Sequence, residues 1–284
     1  MTDIDLYCMC LHDHHISNIK KLGYIPVGLG NNKFSEKWLR DNTGINISQK
    51  NASYGEYTFY YWFWKNVLPN FKDNKWVGFS GYRYHWSNNN NLRSDEITKL
   101  VNQDNFGEFV LKKIPDEWKN YDLILGEQWF ADKWKLSKIL KNGKKFLLKN
   151  PLAFSKKNRN IKLHFDFFHG IGILDKAINE LDDNEREDFR SFTRSQASFN
   201  RENLFICRSK KLMDSYFKSI FGWLERCEKV KDLNKLTLKE GYASKRIYAF
   251  LAERYLSYWF QKYGKPLEWP IFFFDTNKNK IEVK

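Results

Sequence analysis

DNTGINISQKNASYGEYTFYYWFWKN, residues 41–66, is the segment that sets the fold. Its first half is polar and turn-rich. From Tyr54 to Asn66 it reads as a helix that is aromatic on nearly every side. A helix apolar all round is a buried helix. Glu56 is its single carboxylate, and a carboxylate beside a loop of hydroxyls and amides suits a small polar ligand. A short strand is expected at residues 76–79, ending in Ser80-Gly81-Tyr82-Arg83-Tyr84-His85. Loop, buried helix and a strand with polar residues at its C-terminal edge form the pattern of an α/β ligand site.

Working outward, IDLYCMCL at residues 4–11 reads as a first buried strand that runs into His12-Asp13-His14-His15. Pro26-Val27-Gly28-Leu29-Gly30 reads as loop. Residues 121–125 and 203–207 read as further core strands, and residues 268–274 as a closing strand or strap. Helices are expected at 94–111 (a weak pattern), 174–181, 185–194, 213–230 and 244–263. Strands alternating with helices predict an α/β class with a mostly parallel central sheet flanked by helices. The 284 residues suit a single domain over 1–284. Within it, 86–160 reads as a variable excursion, Lys-rich from 126 and carrying Trp129 and Trp134, and 203–284 as a C-terminal helical portion.

The formal net charge is +14. Nucleic acid, an anionic membrane surface or a phosphorylated ligand could each answer it, as could plain enrichment in Lys. The lysines are spread along the chain, apart from runs at 156–159 and 278–284. Aromatic residues make up 18% of the chain, with eleven Trp. They sit in segments that read as buried instead of alternating with Lys on an open face, which disfavours nucleic acid. Cys8, Cys10, Cys207 and Cys227 form no CxxC pair and read as buried thiols of a reducing compartment. There is no signal-peptide pattern, and no apolar run approaches the roughly 18 residues of a membrane span. The expectation is a soluble cytoplasmic protein, with peripheral association at the inner face of the membrane as a variant of it.

Several positions could carry chemistry. Arg246 and Glu253 are seven apart on the last helix, so at about 100° per residue they share a face. A carboxylate in an aromatic setting suits a general base, with Arg246 as a phosphate contact. The alternative is an ordinary ion-pair network in which Arg254 is the closer partner. Glu56 either complements a helix dipole or bonds sugar hydroxyls. Arg83 and His85 could neutralise a diphosphate without a metal, since arginine forks match phosphate geometry. The His12–His15 cluster lacks a distant partner set for a metal, and His12 is better placed to line a nucleotide pocket. LHFDFFHG at 163–170 groups His164, Asp166 and His169. As a strand it would put His164 and Asp166 on one side and His169 on the other, and Asp166 could join a general-base pair. No Walker loop, GxSxG, HExxH or GxGxxG fingerprint occurs.

DNTGINISQKNASYGEYTFYYWFWKN, WVGFSGYRYHW, NLFICRSKKLMDSYFKSIFGWLERCE and KRIYAFLAERYLSYWFQKYG, in this order, resemble the bacterial DUF4422 family of capsule and O-antigen glycosyltransferases. The resemblance runs from Ile4 to about Gly264 and is weakest between 86 and 160. It implies a GT-A-like fold that transfers a hexosyl residue, galactose or galactofuranose favoured, from a nucleoside diphosphate sugar. UDP is the favoured nucleotide, and the acceptor would be lipid-linked or an oligosaccharide. On the matching positions it implies donor binding by Asn46, Ser48, Lys50, Asn51 and Arg83, contacts of Glu56 and Tyr82 with sugar or acceptor, and Glu253 as the base. The reading of the residues themselves adds His12 and Arg246 to the donor site, His85 and His169 to the sugar or acceptor site, and Asp166 as a second catalytic candidate. The chain departs from the family at Gly81, where His is common, at Tyr84, where a second Arg is common, and at Ile45, where Asp is usual. With Arg83 where a GT-A enzyme carries a metal-binding acid, a metal-independent site is expected, Mg²⁺ or Mn²⁺ being the alternative. A non-catalytic sugar- or nucleic-acid-binding protein and a degenerate, inactive transferase are the rival readings.

Overall fold

The computed structural model describes residues 4–132, 144–239 and 241–275. Trp134 and the lysine run 278–284 lie outside the described residues. Where the sequence reads as one domain, the chain divides into two compact units. The first comprises residues 1–127, 202–217 and 260–284, and the second comprises 128–201 and 218–259.

The first unit is built on a seven-stranded sheet. Its strands are β1 (Ile4–Cys10), β2 (Ile25–Gly28), β3 (Leu39–Arg40), β4 (Trp76–Gly81), β6 (Leu123–Gly126), β9 (Phe205–Cys207) and β10 (Pro266–Trp269). Their order is β10-β6-β9-β4-β1-β2-β3. β1 pairs in parallel with β2 and with β4, β2 with β3, and β10 with β6, while β9 runs antiparallel between β4 and β6. The sheet is therefore mostly parallel, as expected. β5 (Tyr84–Trp86) and β11 (Ile271–Phe273) form a separate antiparallel ribbon. The single strap expected at 268–274 is thus two strands that join different sheets.

Two readings need correction. The segment read as loop around Pro26 is β2, in register with β1 from Tyr7↔Ile25 to Cys10↔Gly28. The aromatic helix is also two helices, Asn51–Tyr54 and Tyr57–Asn66, parted at Gly55. Gly55 has φ +57°, a conformation that side chains with a Cβ disfavour. The second helix packs on the sheet through rings. Tyr60 and Phe63 meet Phe79 of β4 at 4.6 and 5.3 Å between centroids, and Phe79 meets Phe205 of β9 at 4.9 Å. Tyr57, Phe59, Tyr60 and Phe63 are fully buried, and burying each such ring contributes roughly 1.5–3 kcal/mol.

The second unit carries the ribbon β7 (Gln128–Phe130) with β8 (Ser198–Asn200). Its principal helices are Ile161–His169, Asp183–Ser195 and most of Lys210–Glu228 and Ile247–Tyr263. The 163–170 stretch, read conditionally as a strand, is a helix. Asn160 caps it by accepting the Leu163 N–H at 2.9 Å. All four cysteines are buried free thiols. Among the described residues no helix is long and apolar enough to cross a membrane.

Candidate functional site

The strand order reverses at β1 and β4. β2 and β3 lie to one side of this pair and β9 to the other. In open α/β sheets ligands bind outside the carboxyl ends of the strands at such a switch point. β1 and β4 stay in register up to Met9↔Gly81, and the Tyr82 N–H then donates to the Met9 carbonyl at 3.3 Å. His12 and Tyr82-Arg83 therefore leave the sheet side by side.

Their side chains form one cluster. The Tyr82 ring stacks on His15 at 5.3 Å and meets His12 edge-on at 6.3 Å, and His14 and His15 lie 4.2 Å apart. The Arg83 guanidinium is 5.1 Å from the Tyr82 ring centre. His15 is buried beneath, while His12, His14 and Arg83 are exposed. A Cβ placed on Gly81 would meet nothing within 4 Å, so the floor of this edge is open. Asp13 is turned away. Its carboxylate accepts the Ser35 N–H at 2.8 Å, and that bond holds it below the usual carboxylate range.

The loop 41–51 frames the crevice from the β2 side, and its polar side chains mostly hold the loop itself. Asn46 Oδ1 accepts from the Ser48 N–H and hydroxyl at 3.2 and 2.9 Å, and its amide donates to the Gly44 carbonyl. Asn51 Nδ2 donates to the Gly55 carbonyl and the Thr58 hydroxyl at 2.8 and 3.0 Å. The Lys50 ammonium lies 5.5 Å from the Tyr54 ring centre. The Ile45 side chain is 59% exposed, and its backbone is clamped by the Asn66 amide on both sides. Glu56 is the residue before the helix Tyr57–Asn66 and accepts from Asn203 Nδ2. Asn203 also accepts from Tyr57 and Tyr60 hydroxyls at 3.2 and 2.6 Å. The partner that Glu56 required is thus an asparagine.

Sequence reasoning missed Arg40 and Asp41. Asp41 is fully buried, accepts the Gly30 N–H at 2.8 Å and the Thr58 hydroxyl at 2.6 Å, and so ties the end of β2 to the aromatic helix. Burial raises its carboxyl above the usual range against those two bonds. Arg40 donates to the Gly28, Gly30 and Asn32 carbonyls at 3.2, 2.8 and 3.0 Å. The readable signal was an Arg-Asp pair at the mouth of a polar loop that follows two glycines.

His85 does not belong to the crevice. It is 1% exposed, its Nε2 lies 3.1 Å from the Phe274 carbonyl oxygen, and its ring meets Phe106 at 4.9 Å. Burial depresses it to about 4. It is a packing residue of the β5–β11 ribbon, unsuited to meeting a diphosphate.

In the second unit, Glu253 pairs with Arg254, a guanidinium 2% exposed that lies 4.5 Å from the Phe199 ring centre. The carboxylate expected among bare aromatic rings thus has the cation that was the plainer alternative. Arg254 Nη2 is also 3.3 Å from His164 Nδ1. Arg246 lies one residue before the helix that carries Glu253, with its guanidinium 5.1 Å from the Tyr242 ring centre. His169 stacks on Phe250 at 4.2 Å, bonds the Ala243 carbonyl through Nδ1, and is pushed down to about 3 by burial and by Arg254. Asp166 is not poised as a base. Its side chain is fully enclosed, paired with Lys162, and accepts the Gly172 N–H at 3.1 Å.

GT-A-like folds commonly hold a divalent cation at the end of the strand equivalent to β4. The residues present do not fit one. Gly81-Tyr82-Arg83 supplies a guanidinium and no carboxylate, and among the described residues no group of three or more His, Cys, Asp or Glu is placed to hold a metal.

Comparison with known proteins bears on this arrangement. The model of the family described as a domain of unknown function, DUF4422, matches residues 6–264. The structure is similar to the apo structure of the bifunctional glycosyltransferase WbbM, with a TM-score of 0.64 and 20% identity. That match covers 95% of this chain and 45% of WbbM, so the chain spans less than half of that protein's length. Core-mannan synthase A (CmsA/Ktr4) of Aspergillus fumigatus, in its Mn/GDP form, matches at a TM-score of 0.30 and 13% identity, over 89% of this chain and 72% of its own. No protein of the curated set matches. The likeness to WbbM shows the fold, which is α/β and GT-A-like.

Proposed function

The chain belongs to the DUF4422 family, and from that premise we propose that it is a glycosyltransferase. It moves a hexosyl residue, galactose or galactofuranose favoured, from a nucleoside diphosphate sugar, UDP favoured, to a growing capsular or O-antigen glycan. The supporting observation is the switch-point crevice, where an exposed arginine and two exposed imidazoles flank an aromatic ring at the carboxyl ends of β1 and β4. A departing diphosphate needs positive charge where its negative charge develops. Arg83 supplies it as a planar fork that can grip two phosphate oxygens. Tyr82 and His12 offer flat faces for the nucleotide or the sugar. In this reading Asn46, Ser48 and Asn51 act through the backbone they shape, and Lys50 and Glu56 stand at the loop's inner end. The reaction proceeds without a divalent metal. The protein works on the cytoplasmic side of the membrane, held near its anionic surface by the +14 charge.

A thermal-shift panel of nucleoside diphosphates and nucleotide sugars tests this. A true donor at about 100 times its Kd stabilises by about 2.7 kcal/mol. Arg83→Ala should weaken nucleoside diphosphate binding by roughly 1–3 kcal/mol. Unchanged affinity removes Arg83 from the site. Full turnover in chelator is expected, and strict Mn²⁺ dependence refutes the metal-free mechanism. Donor binding with no transfer to any glycan would make this a sugar-binding protein instead.

A further inference from the structure

The second unit carries a run of touching rings that the crevice does not use. Trp129 of β7 meets His164 edge-on at 5.1 Å between centroids, and His164 meets Phe168 at 4.7 Å. Phe168 lies 6.5 Å from His169, which stacks on Phe250 at 4.2 Å, and Phe250 meets Tyr242 edge-on at 5.7 Å. Three pieces of chain supply these rings: β7, the helix Ile161–His169, and the stretch from the helical turn Tyr242–Lys245 into the helix Ile247–Tyr263. Two rings stay in water, Phe168 at 38% and Tyr242 at 63% exposed. Clustered apolar rings at a surface mark a place that meets something else.

Between them lies an imidazole with one unbonded edge. His169 is 7% exposed, and its Nδ1 is 2.9 Å from the Ala243 carbonyl oxygen. A carbonyl only accepts, so Nδ1 carries the proton and Nε2 keeps its lone pair. Burial and Arg254 push the ring down to about 3, so at neutral pH that lone pair remains an acceptor. Among the described residues nothing donates to it. A largely buried acceptor without a donor costs free energy that a ligand hydroxyl returns. The charges of the two helices largely cancel nearby, since Arg254 pairs with Glu253 and Lys162 with Asp166. Lys245 and Arg246 stand at the Tyr242 end, with the Arg246 guanidinium over the Tyr242 ring at 5.1 Å. The centre of the surface thus offers ring faces and a neutral acceptor instead of charge. That combination suits the flat apolar face and the hydroxyls of a sugar.

We propose that these rings and His169 form a binding surface for a neutral glycan, whose sugars pack on Phe168 and Tyr242 and donate a hydroxyl to His169 Nε2. That the glycan is the acceptor of sugar transfer rests on the transferase reading, whereas the surface itself does not.

The test is calorimetric titration of the full chain with neutral galactan and glucan oligosaccharides, with methyl β-galactopyranoside for comparison. An oligosaccharide should bind more tightly than the single sugar, because it reaches more than one ring. His169→Phe keeps a packed ring and removes the acceptor, and should weaken binding about fivefold, the loss of one hydrogen bond. Phe168→Ala and Tyr242→Ala alter exposed rings, so the fold should survive, and each should weaken binding several-fold. These two variants decide the matter if His169→Phe does not fold. Affinity unmoved by the substitutions, or no uptake of either oligosaccharide at millimolar concentration, overturns the proposal. So does displacement by inorganic pyrophosphate, which would move the sugar to the crevice at Arg83. A concentration-dependent dimer that Tyr242→Ala breaks, with no glycan bound, would assign the rings to a second copy of the chain and overturn it too. Glycan binding here in a chain that transfers no sugar would sink the transferase reading and leave this surface standing. Transfer whose KM for the glycan is unmoved by Tyr242→Ala would sink the surface and leave the transferase reading standing.

Discussion

Replacing His85 should flatten the acid side of the stability profile. The ring is enclosed between Phe106 and Phe272, bonded to the Phe274 carbonyl, and depressed by burial from 6.5 to about 4. The folded state therefore keeps it neutral where the unfolded chain takes up a proton. Its contribution is complete above pH 6.5 and is lost as pH falls from 6.5 towards 4, because protons then favour the unfolded state. A gap of about 2.5 units corresponds to about 3 kcal/mol in full, and to about 2 kcal/mol between pH 7 and pH 5. His85→Phe removes the titrating group and keeps a ring of similar shape. The variant will be less stable at pH 7 through loss of the bond to Phe274. Its further loss on going to pH 5, however, should be about 2 kcal/mol smaller than that of the parent. Urea unfolding followed by tryptophan fluorescence at the two pH values measures this. Equal pH dependence in parent and variant would show that the ring is protonated in the folded protein, and the packing argument would fall with it.

Three other outcomes follow from the same geometry. Gly30 has φ +62° and an added Cβ would lie 2.9 Å from the Asn51 Cβ, so Gly30→Ala should cost about 2 kcal/mol or more in urea unfolding and loosen donor binding. Asn203 has φ +57°, and its side chain donates to Glu56 and accepts from Tyr57, while its backbone carbonyl accepts from Tyr60 in any variant. Asn203→Ala should cost about 3 kcal/mol, and Asn203→Gly about 1 kcal/mol less, since glycine relieves the left-handed strain; equal costs would show the strain is absent. Glu253→Gln should lower the melting temperature, because it leaves the buried Arg254 without its counter-charge. A variant as stable as the parent contradicts the ion pair.

What could be read in advance was what depends on local pattern. β1 and β4 are short apolar runs, and the helix Tyr57–Asn66 is apolar all round, so each announced its burial. β2 escaped because Pro26 and its glycines signal a turn, whereas the strand is specified by pairing with β1, from Tyr7↔Ile25 to Cys10↔Gly28, which the local pattern of β2 does not show. LHFDFFHG alternates like a strand over a few residues, and its helical state is settled by the Asn160 cap and by Phe165 and His169 packing on one side. The crevice was legible at Arg83 and His12, which follow strands directly. Asp41 was not, since nothing nearby in sequence shows that Gly30 and Thr58 will converge on it. His85 and Asp166 misled because chemistry-bearing side chains read alike whether exposed or enclosed.

The central sheet also carries a consequence for synthesis. β9 fills the gap between β4 and β6, and β10 closes the far edge, yet both are encoded after the bulk of the second unit. As the chain emerges from a ribosome, β6 waits with an open backbone edge for about eighty residues and β4 for about 120 before β9 arrives. Such long-range pairing folds slowly, and unpaired edges invite association. The turn at Glu202-Asn203, with φ of 72° and 57°, delivers β9 into the gap. Substitutions there should therefore lower soluble yield by more than their equilibrium cost accounts for.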